Sequence, residues 1–161
     1  EDRLETVVGS LLAQQRRTVA TAESCTGGAV ASLLTDVPGA SAYVVGGVVA
    51  YCNSVKQELL GIDDALLAEH GAVSEAVALE MARNVRSLTR ADYGVSTTGI
   101  LGPTGGTPDK PVGTVWVACA DDASAEARLL RLGKERLKNK QRTVAATLDM
   151  LRRRLVATTA R

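Results

Sequence analysis

Thr18-Val-Ala-Thr-Ala-Glu-Ser-Cys-Thr-Gly-Gly28, continued by Ala29-Val-Ala-Ser-Leu-Leu-Thr35, is the stretch on which the fold turns. Thr18 to Ala22 is short and β-branched, the habit of a strand, and Ala29 to Thr35 has helical character. Between them Glu23 to Gly28 makes a tight, glycine-rich turn, so the whole reads as strand, turn and helix. Upstream, Leu4, Val7, Val8, Leu11 and Leu12 recur at helical spacing, which predicts an amphipathic helix over 4–15 that packs on a sheet. Downstream, Pro38-Gly39 closes the second helix. Tyr43 to Tyr51 (YVVGGVVAY) is a nearly continuous apolar run that suits a strand buried on both faces. Gly46 and Gly47 inside it predict a bulge or a close backbone approach.

Helices are expected at 54–60, 63–69 and 74–89, the last capped by Ser74 with Glu75 in its first turn. Tyr93 to Thr98 and Thr114 to Ala120 read as strands flanking the long loop GILGPTGGTPDKPVG. Asp121-Asp122 then turns the chain into an antiparallel partner at 125–132. A final helix from Arg136 to Val156 carries Val144, Leu148, Leu151 and Leu155 on one face. Strands alternating with helices and then closing in a hairpin define an α/β fold, a three-layer α/β/α sandwich around a mixed, largely parallel sheet.

Its 161 residues are the length of one domain, taken as 1–161. A formal charge of +1 gives no basic excess to hold a phosphate backbone, and 2% aromatics leaves few stacking platforms, so no direct nucleic-acid partner is expected. Three widely spaced cysteines, Cys25, Cys52 and Cys119, do not make a disulfide framework and suit a reducing, cytoplasmic compartment. With one histidine, His70, and no CxxC pair, neither a metal site nor a cofactor is expected. No run of about 18 apolar residues, the length that spans a bilayer, occurs, and no membrane association is expected.

In a sheet of this kind ligands bind beyond the carboxyl ends of the strands, where two glycine-rich turns emerge, 23–28 and 99–106. By residue type alone Ser24 or Thr26 caps the following helix, or the turn binds an anion through its N–H groups, or Ser24 is a nucleophile. A serine nucleophile needs a base. His70 reads as the last residue of a helix, facing its dipole. Lys56 is the other candidate, either a solvated helix residue or an amine whose pKa burial has lowered. The loop Gly99-Ile-Leu-Gly-Pro-Thr-Gly-Gly106 matches neither a Walker pattern nor GxGxxG, yet its glycines suit an anion cradle. The cations from Arg128 to Arg142 read mostly as solvated surface.

Four segments in order, Thr21 to Gly28, Gly46 to Lys56, Gly71-Ala-Val-Ser74 and Thr98 to Trp116, resemble the CinA C-terminal domain family over nearly the whole chain. Members of that family with established activity are nicotinamide mononucleotide deamidases. They hydrolyse the substrate's carboxamide to nicotinic acid mononucleotide and ammonia in pyridine nucleotide recycling. The resemblance implies that reaction here, by a serine amidohydrolase without metal or cofactor: Ser24 as nucleophile, Lys56 as base, and Tyr51 hydrogen-bonding within the pair. It places the oxyanion on N–H groups near Thr26, Gly27 and Gly28, and counts Glu23 and Asn53 among the substrate-binding residues. It assigns Thr98, Gly99, Gly102, Gly105 and Gly106 to the nucleotide side of the pocket, with the 5′-phosphate on the loop N–H groups.

Two departures stand out. Leu101 replaces a more usual alanine and is expected to narrow the pocket, and LGKERLKN stands where many members carry GDR, with Arg136 the match for its arginine and a candidate phosphate partner. The family's habit implies a homodimer or higher homo-oligomer. The competing reading is a binding module without catalysis, either for a mononucleotide or for a partner in competence or DNA damage, in keeping with the family name.

Overall fold

The computed structural model describes residues 2–160. Its elements run α1 (Leu4–Gln15), β1 (Val19–Glu23), α2 (Ala29–Thr35), a 3₁₀ turn (Ala40–Ala42), β2 (Val44–Val49), α3 (Asn53–Glu58), α4 (Asp64–His70), α5 (Glu75–Thr89), β3 (Tyr93–Gly99), β4 (Thr114–Ala120), β5 (Ala125–Arg131) and α6 (Arg136–Thr159). The five strands form one sheet in the order β2-β1-β3-β4-β5. β1 runs parallel to both β2 and β3, while β3, β4 and β5 pair antiparallel, so the sheet is mixed.

Side chains alternate across each strand, which builds two cores. On one face Val19, Val95, Val117 and Cys119 meet Val30 and Leu34 of α2 and Val144, Leu148, Leu151 and Leu155 of α6. On the other, Ala20 and Ala22 meet Val77, Met81 and Val85 of α5. The apolar stripe read along the last helix is therefore its buried face. α1 lies chiefly against α6 and α2, and its Val8 and Leu12 reach the same core as Val19. Ser74 caps α5, accepting from the Val77 N–H at 3.3 Å.

β2 is not buried on both faces as its apolar run predicts. It is the edge strand, and along it half-buried residues alternate with exposed ones, Val45 and Val49 among the latter. The glycine expectation holds in both forms. Pairing shifts by one residue between Val19↔Val44 and Ala20↔Gly46, leaving Val45 as the extra residue of a bulge. Two positions on, a Cβ at Gly47 would collide with the Thr21 hydroxyl, so the strands meet there only because the side chain is missing.

The order β2-β1-β3 gives this fold a natural cleft. β1 connects to β2 through α2 on one face, and β2 returns to β3 through α3, α4 and α5, with α5 on the other. At the carboxyl ends of β1 and β3 the connections therefore diverge, which is where open α/β sheets hold their ligands.

Candidate active site

Ser24 follows the last residue of β1 and is tied to the neighbouring strand, its N–H donating to the Thr97 carbonyl at 2.9 Å. The chain then turns sharply. Gly27 and Gly28 both take positive φ, 62° and 100°, a conformation that costs glycine little and other residues much more. The turn is held from below by Glu23, whose buried carboxylate accepts from the Val30 and Ala31 N–H groups at 2.8 and 3.0 Å and from the Thr26 hydroxyl at 2.6 Å. The Thr26 hydroxyl also meets that of Thr97, at 2.7 Å. Glu23 was expected among substrate-binding residues. Its oxygens are instead used to anchor the first turn of α2, and Glu23→Gln is expected to destabilise the fold by about 1.5–3 kcal/mol, the range for hydrogen bonds to a charged group. Urea unfolding checks this.

Lys56 comes from the second turn of α3 and ends beside Ser24. Its Nζ lies 2.9 Å from Ser24 Oγ, 2.8 Å from the Ala50 carbonyl and 3.5 Å from that of Tyr51. The residue is 1% exposed, and no carboxylate pairs with its amine among the described residues. Burial is the dominant influence on it and lowers its pKa, while the Cys52 and Cys25 thiols pull weakly the other way. Lys56 Nζ donates to Ser24 Oγ and to the Ala50 carbonyl; on losing its proton, the amine would keep N–H groups for the carbonyls and turn a lone pair to the serine hydroxyl. The neighbouring Cys25 thiol is no rival nucleophile, because burial pushes its pKa up to about 11.

Above the serine, Gly27 N–H is already bonded to the Ser24 carbonyl at 3.1 Å. The N–H groups of Thr26 and Gly28 have no acceptor among the described residues and are free to take one from a ligand. Val49 of β2 stands 3.4 Å from the Cβ position of Gly28, and Lys140 of α6 stands 3.9 Å from that of Gly27, so these two flank the turn.

Several expected site residues sit elsewhere. The Tyr51 hydroxyl does not join the Ser24–Lys56 pair. It accepts from Arg136 at 2.9 Å, and only the Tyr51 main chain approaches Lys56, because the residue lies at the exposed rim after β2. The Arg136 guanidinium donates at 2.9 Å to the Gly102 carbonyl as well, so it joins the long loop to Tyr51 across the mouth of the cleft. Thr98 points to the α5 side of the sheet, where its hydroxyl donates to the Ala72 carbonyl at 2.8 Å. The alternation of the strand brings Thr97 to the Ser24 turn instead, a residue that counting by twos from Val95 would have found.

Gly99 packs on Val115, and Gly105 and Gly106 lie on the exposed outer part of the loop. Leu101 does not narrow the pocket: it is 2% exposed and belongs to the core with Val115 and Val144. The residue that pins the loop there is buried Asn139, which donates to the carbonyls of Leu101 and Gly133 at 2.9 and 2.8 Å. Asn53 opens α3 with its side chain exposed. His70 ends α4, as expected, and its carbonyl accepts from Lys110.

The described residues hold no group of three or more His, Cys, Asp or Glu arranged for a metal ion, and none of their helices is long and apolar enough to cross a membrane.

The model of the CinA C-terminal domain matches residues 1–155. A CinA-like protein of Salinibacter ruber is 53% identical over 94% of this chain and 37% of its own length. A putative competence-damage inducible protein of a Thermoanaerobacter species is 49% identical over 97% of this chain and 38% of its own. The chain thus spans less than two fifths of the curated relatives it matches. Among solved structures, the competence/damage inducible protein CihA of Agrobacterium tumefaciens superposes with a TM-score of 0.89 at 36% identity, covering 94% of each chain. A CinA superfamily protein of Klebsiella pneumoniae does so at 0.92 and 32%, covering 96% of each. With the match running through both the Ser24 turn and the Lys56 segment, the chain belongs to the CinA C-terminal domain family.

Proposed function

We propose that this domain is a serine amidohydrolase that removes the amide nitrogen of nicotinamide mononucleotide, releasing ammonia and nicotinic acid mononucleotide. The observation that carries the reading is the buried Lys56 amine 2.9 Å from Ser24 Oγ, without a carboxylate partner among the described residues. A surface lysine would be charged and idle as a base. One desolvated in this way gives up its proton more readily than a surface lysine and so can serve as a base.

The geometry supports these steps. Lys56 takes the Ser24 proton as Oγ attacks the carboxamide carbon. The developing oxyanion lies against the free N–H groups of Thr26 and Gly28. Protonated Lys56 then gives its proton to the departing nitrogen, which leaves as ammonia, and an ester to Ser24 remains. Water, losing a proton to Lys56, opens that ester, and the proton returns to Ser24 as the acid leaves.

Ammonia release from nicotinamide mononucleotide tests the reading. Ser24→Ala is expected to lower kcat at least about a thousandfold while leaving the fold intact, as removal of a nucleophile does in other hydrolases. Retention of activity by that variant overturns the nucleophile. A folded parent chain that binds the mononucleotide without turnover moves the domain to the class of passive binding modules.

A further inference from the structure

The turn that presents Ser24 meets two opposed demands. It needs glycine for its positive φ angles, 62° at Gly27 and 100° at Gly28, and glycine is also the residue whose peptides turn over most readily. The Gly27–Gly28 peptide is the loose one. Neither the Gly27 carbonyl nor the Gly28 N–H has a hydrogen-bond partner among the described residues, and a half-turn of this peptide would set a carbonyl where the N–H now faces a ligand. Few groups are able to hold the turn against that. Ser24 needs its side chain for the reaction, Gly27 and Gly28 have none, and the Cys25 thiol is a weak donor. That leaves Thr26.

Thr26 is 1% exposed; its hydroxyl donates to Glu23 Oε1 at 2.6 Å, and the same oxygen stands 2.7 Å from the Thr97 hydroxyl. Counting protons fixes the directions. A carboxylate oxygen has none to give, so the Thr26 proton goes to Glu23, and Thr97 donates to Thr26. Glu23 ends β1 and Thr97 lies on β3, so one side chain ties the turn to both strands whose carboxyl ends form the cleft. The Thr26 carbonyl is held too, by the Ala29 N–H at 3.1 Å, while its own N–H stays free.

We propose that the Thr26 hydroxyl is a positioning group for the reaction: by bridging Glu23 and Thr97 it keeps the N–H groups of Thr26 and Gly28 turned toward the oxyanion. This role rests on the amidohydrolase reading and deepens it, naming the side chain that sets the geometry of the oxyanion site. The oxyanion exists only on the way over the barrier, so loosening its donors lowers kcat and leaves KM nearly unchanged.

The test measures kcat and KM for nicotinamide mononucleotide in the parent, Thr26→Val, Thr26→Ala, Thr26→Ser and Ser96→Ala. Valine keeps the branched shape and removes the hydroxyl. Alanine removes it without setting a methyl group against the Glu23 carboxylate, and serves where valine prevents folding. Serine keeps the hydroxyl. Ser96→Ala removes a buried hydroxyl that donates to the Ala78 carbonyl on the α5 side of the sheet, and controls for lost stability alone. Thr26→Val and Thr26→Ala are expected to lose about ten- to a hundredfold in kcat with little change in KM, the scale of a misplaced reacting group. Thr26→Ser is expected to restore most of that, and Ser96→Ala to lower the urea midpoint while keeping kcat. An unchanged kcat in a folded variant without the hydroxyl, a loss that serine does not restore, or an equal loss in Ser96→Ala overturns the role.

The rate at which a fluorophosphonate labels Ser24, followed by intact mass, reads the same geometry without the nucleotide, because its phosphoryl oxygen takes the place of the oxyanion. Labelling slowed by Thr26→Ala and restored by Thr26→Ser upholds the role even if the mononucleotide is not turned over, so a wrong substrate and a wrong positioning group give different results. Labelling equally fast in the parent and Thr26→Ala overturns the role alone. A parent that neither turns over nor labels overturns the amidohydrolase reading and the role with it.

Discussion

Lys56→Met is expected to lower turnover by about a hundred- to ten-thousandfold, the usual contribution of a general base, and at the same time to change how stability depends on pH. The folded state holds the amine in a pocket that lowers its pKa from 10.5, because burial penalises the charged form. Between that lowered value and 10.5 the unfolded chain binds more protons than the folded one, so this group makes the parent gain stability as pH rises. Methionine fills a similar volume and carries no such penalty. The melting temperature of the variant relative to the parent is therefore expected to be highest at the acidic end of a series from about pH 6 to 10, and to fall as pH increases. A constant difference across the series would show that the buried amine titrates as it does in water. The activity of the parent runs the same way, rising with pH through the lowered pKa, since only the neutral amine accepts the serine proton.

The second large effect concerns α5. Gly94 of β3 lies directly under this helix: a Cβ there would run into the Ala82 carbonyl and would stand 2.9 Å from Arg86 Cβ. The obstacle is main chain, so no rotamer relieves it. α5 is further held by the Ser96 hydroxyl, which donates to the Ala78 carbonyl at 2.6 Å. Gly94→Ala is expected to cost about 3 kcal/mol or more, at the upper end of what overpacking does, and Gly94→Val to prevent folding. Gly133→Ala, where nothing lies within 4 Å of the added carbon, is the control and is expected to change stability by about 0.5 kcal/mol or less. Urea midpoints of the three chains decide it.

Much of the architecture was legible because it rests on local patterns. The turn between Ala22 and Ala29, the Ser74 cap, the hairpin at 121–122 and the apolar face of α6 each follow from a few neighbouring residues. The place of β2 was not legible. Val44 to Val49 is apolar enough for a central strand, and periodicity carries no information about which strands become neighbours; here β1 takes β3 on its other side and leaves β2 at the edge.

The site divides in the same manner. Ser24 announces itself as a residue on a glycine-rich turn, whereas Lys56 reads alone as a solvated helix lysine, and the resemblance, not the residue, paired the two before the fold placed them 2.9 Å apart. Tyr51 and Thr98 went astray for opposite reasons. Closeness in sequence to Lys56 says nothing about where the Tyr51 side chain points, while for Thr98 the alternation of the strand was readable and favoured Thr97. The role of Glu23 needed the third dimension too, since its partners at Val30 and Ala31 lie in the first turn of α2, seven and eight residues along the chain.

The bulge at Val45 makes the β1–β2 ladder a gauge for the reacting distance. Ser24 leaves the end of one strand and Lys56 follows the end of the other, and the last rung between them is the Ala50 N–H bonded to the Glu23 carbonyl at 2.8 Å. Along a ladder, one residue is a step of about 3.3 Å, longer than the separation between amine and hydroxyl. Removing the extra residue while keeping the upper rungs would unhook the strand's beginning from Val19; keeping the lower rungs would carry the base a full step away from the nucleophile and turn alternate side chains to the wrong face. An irregularity at one end of the sheet thereby sets the alignment of two reacting atoms at the other.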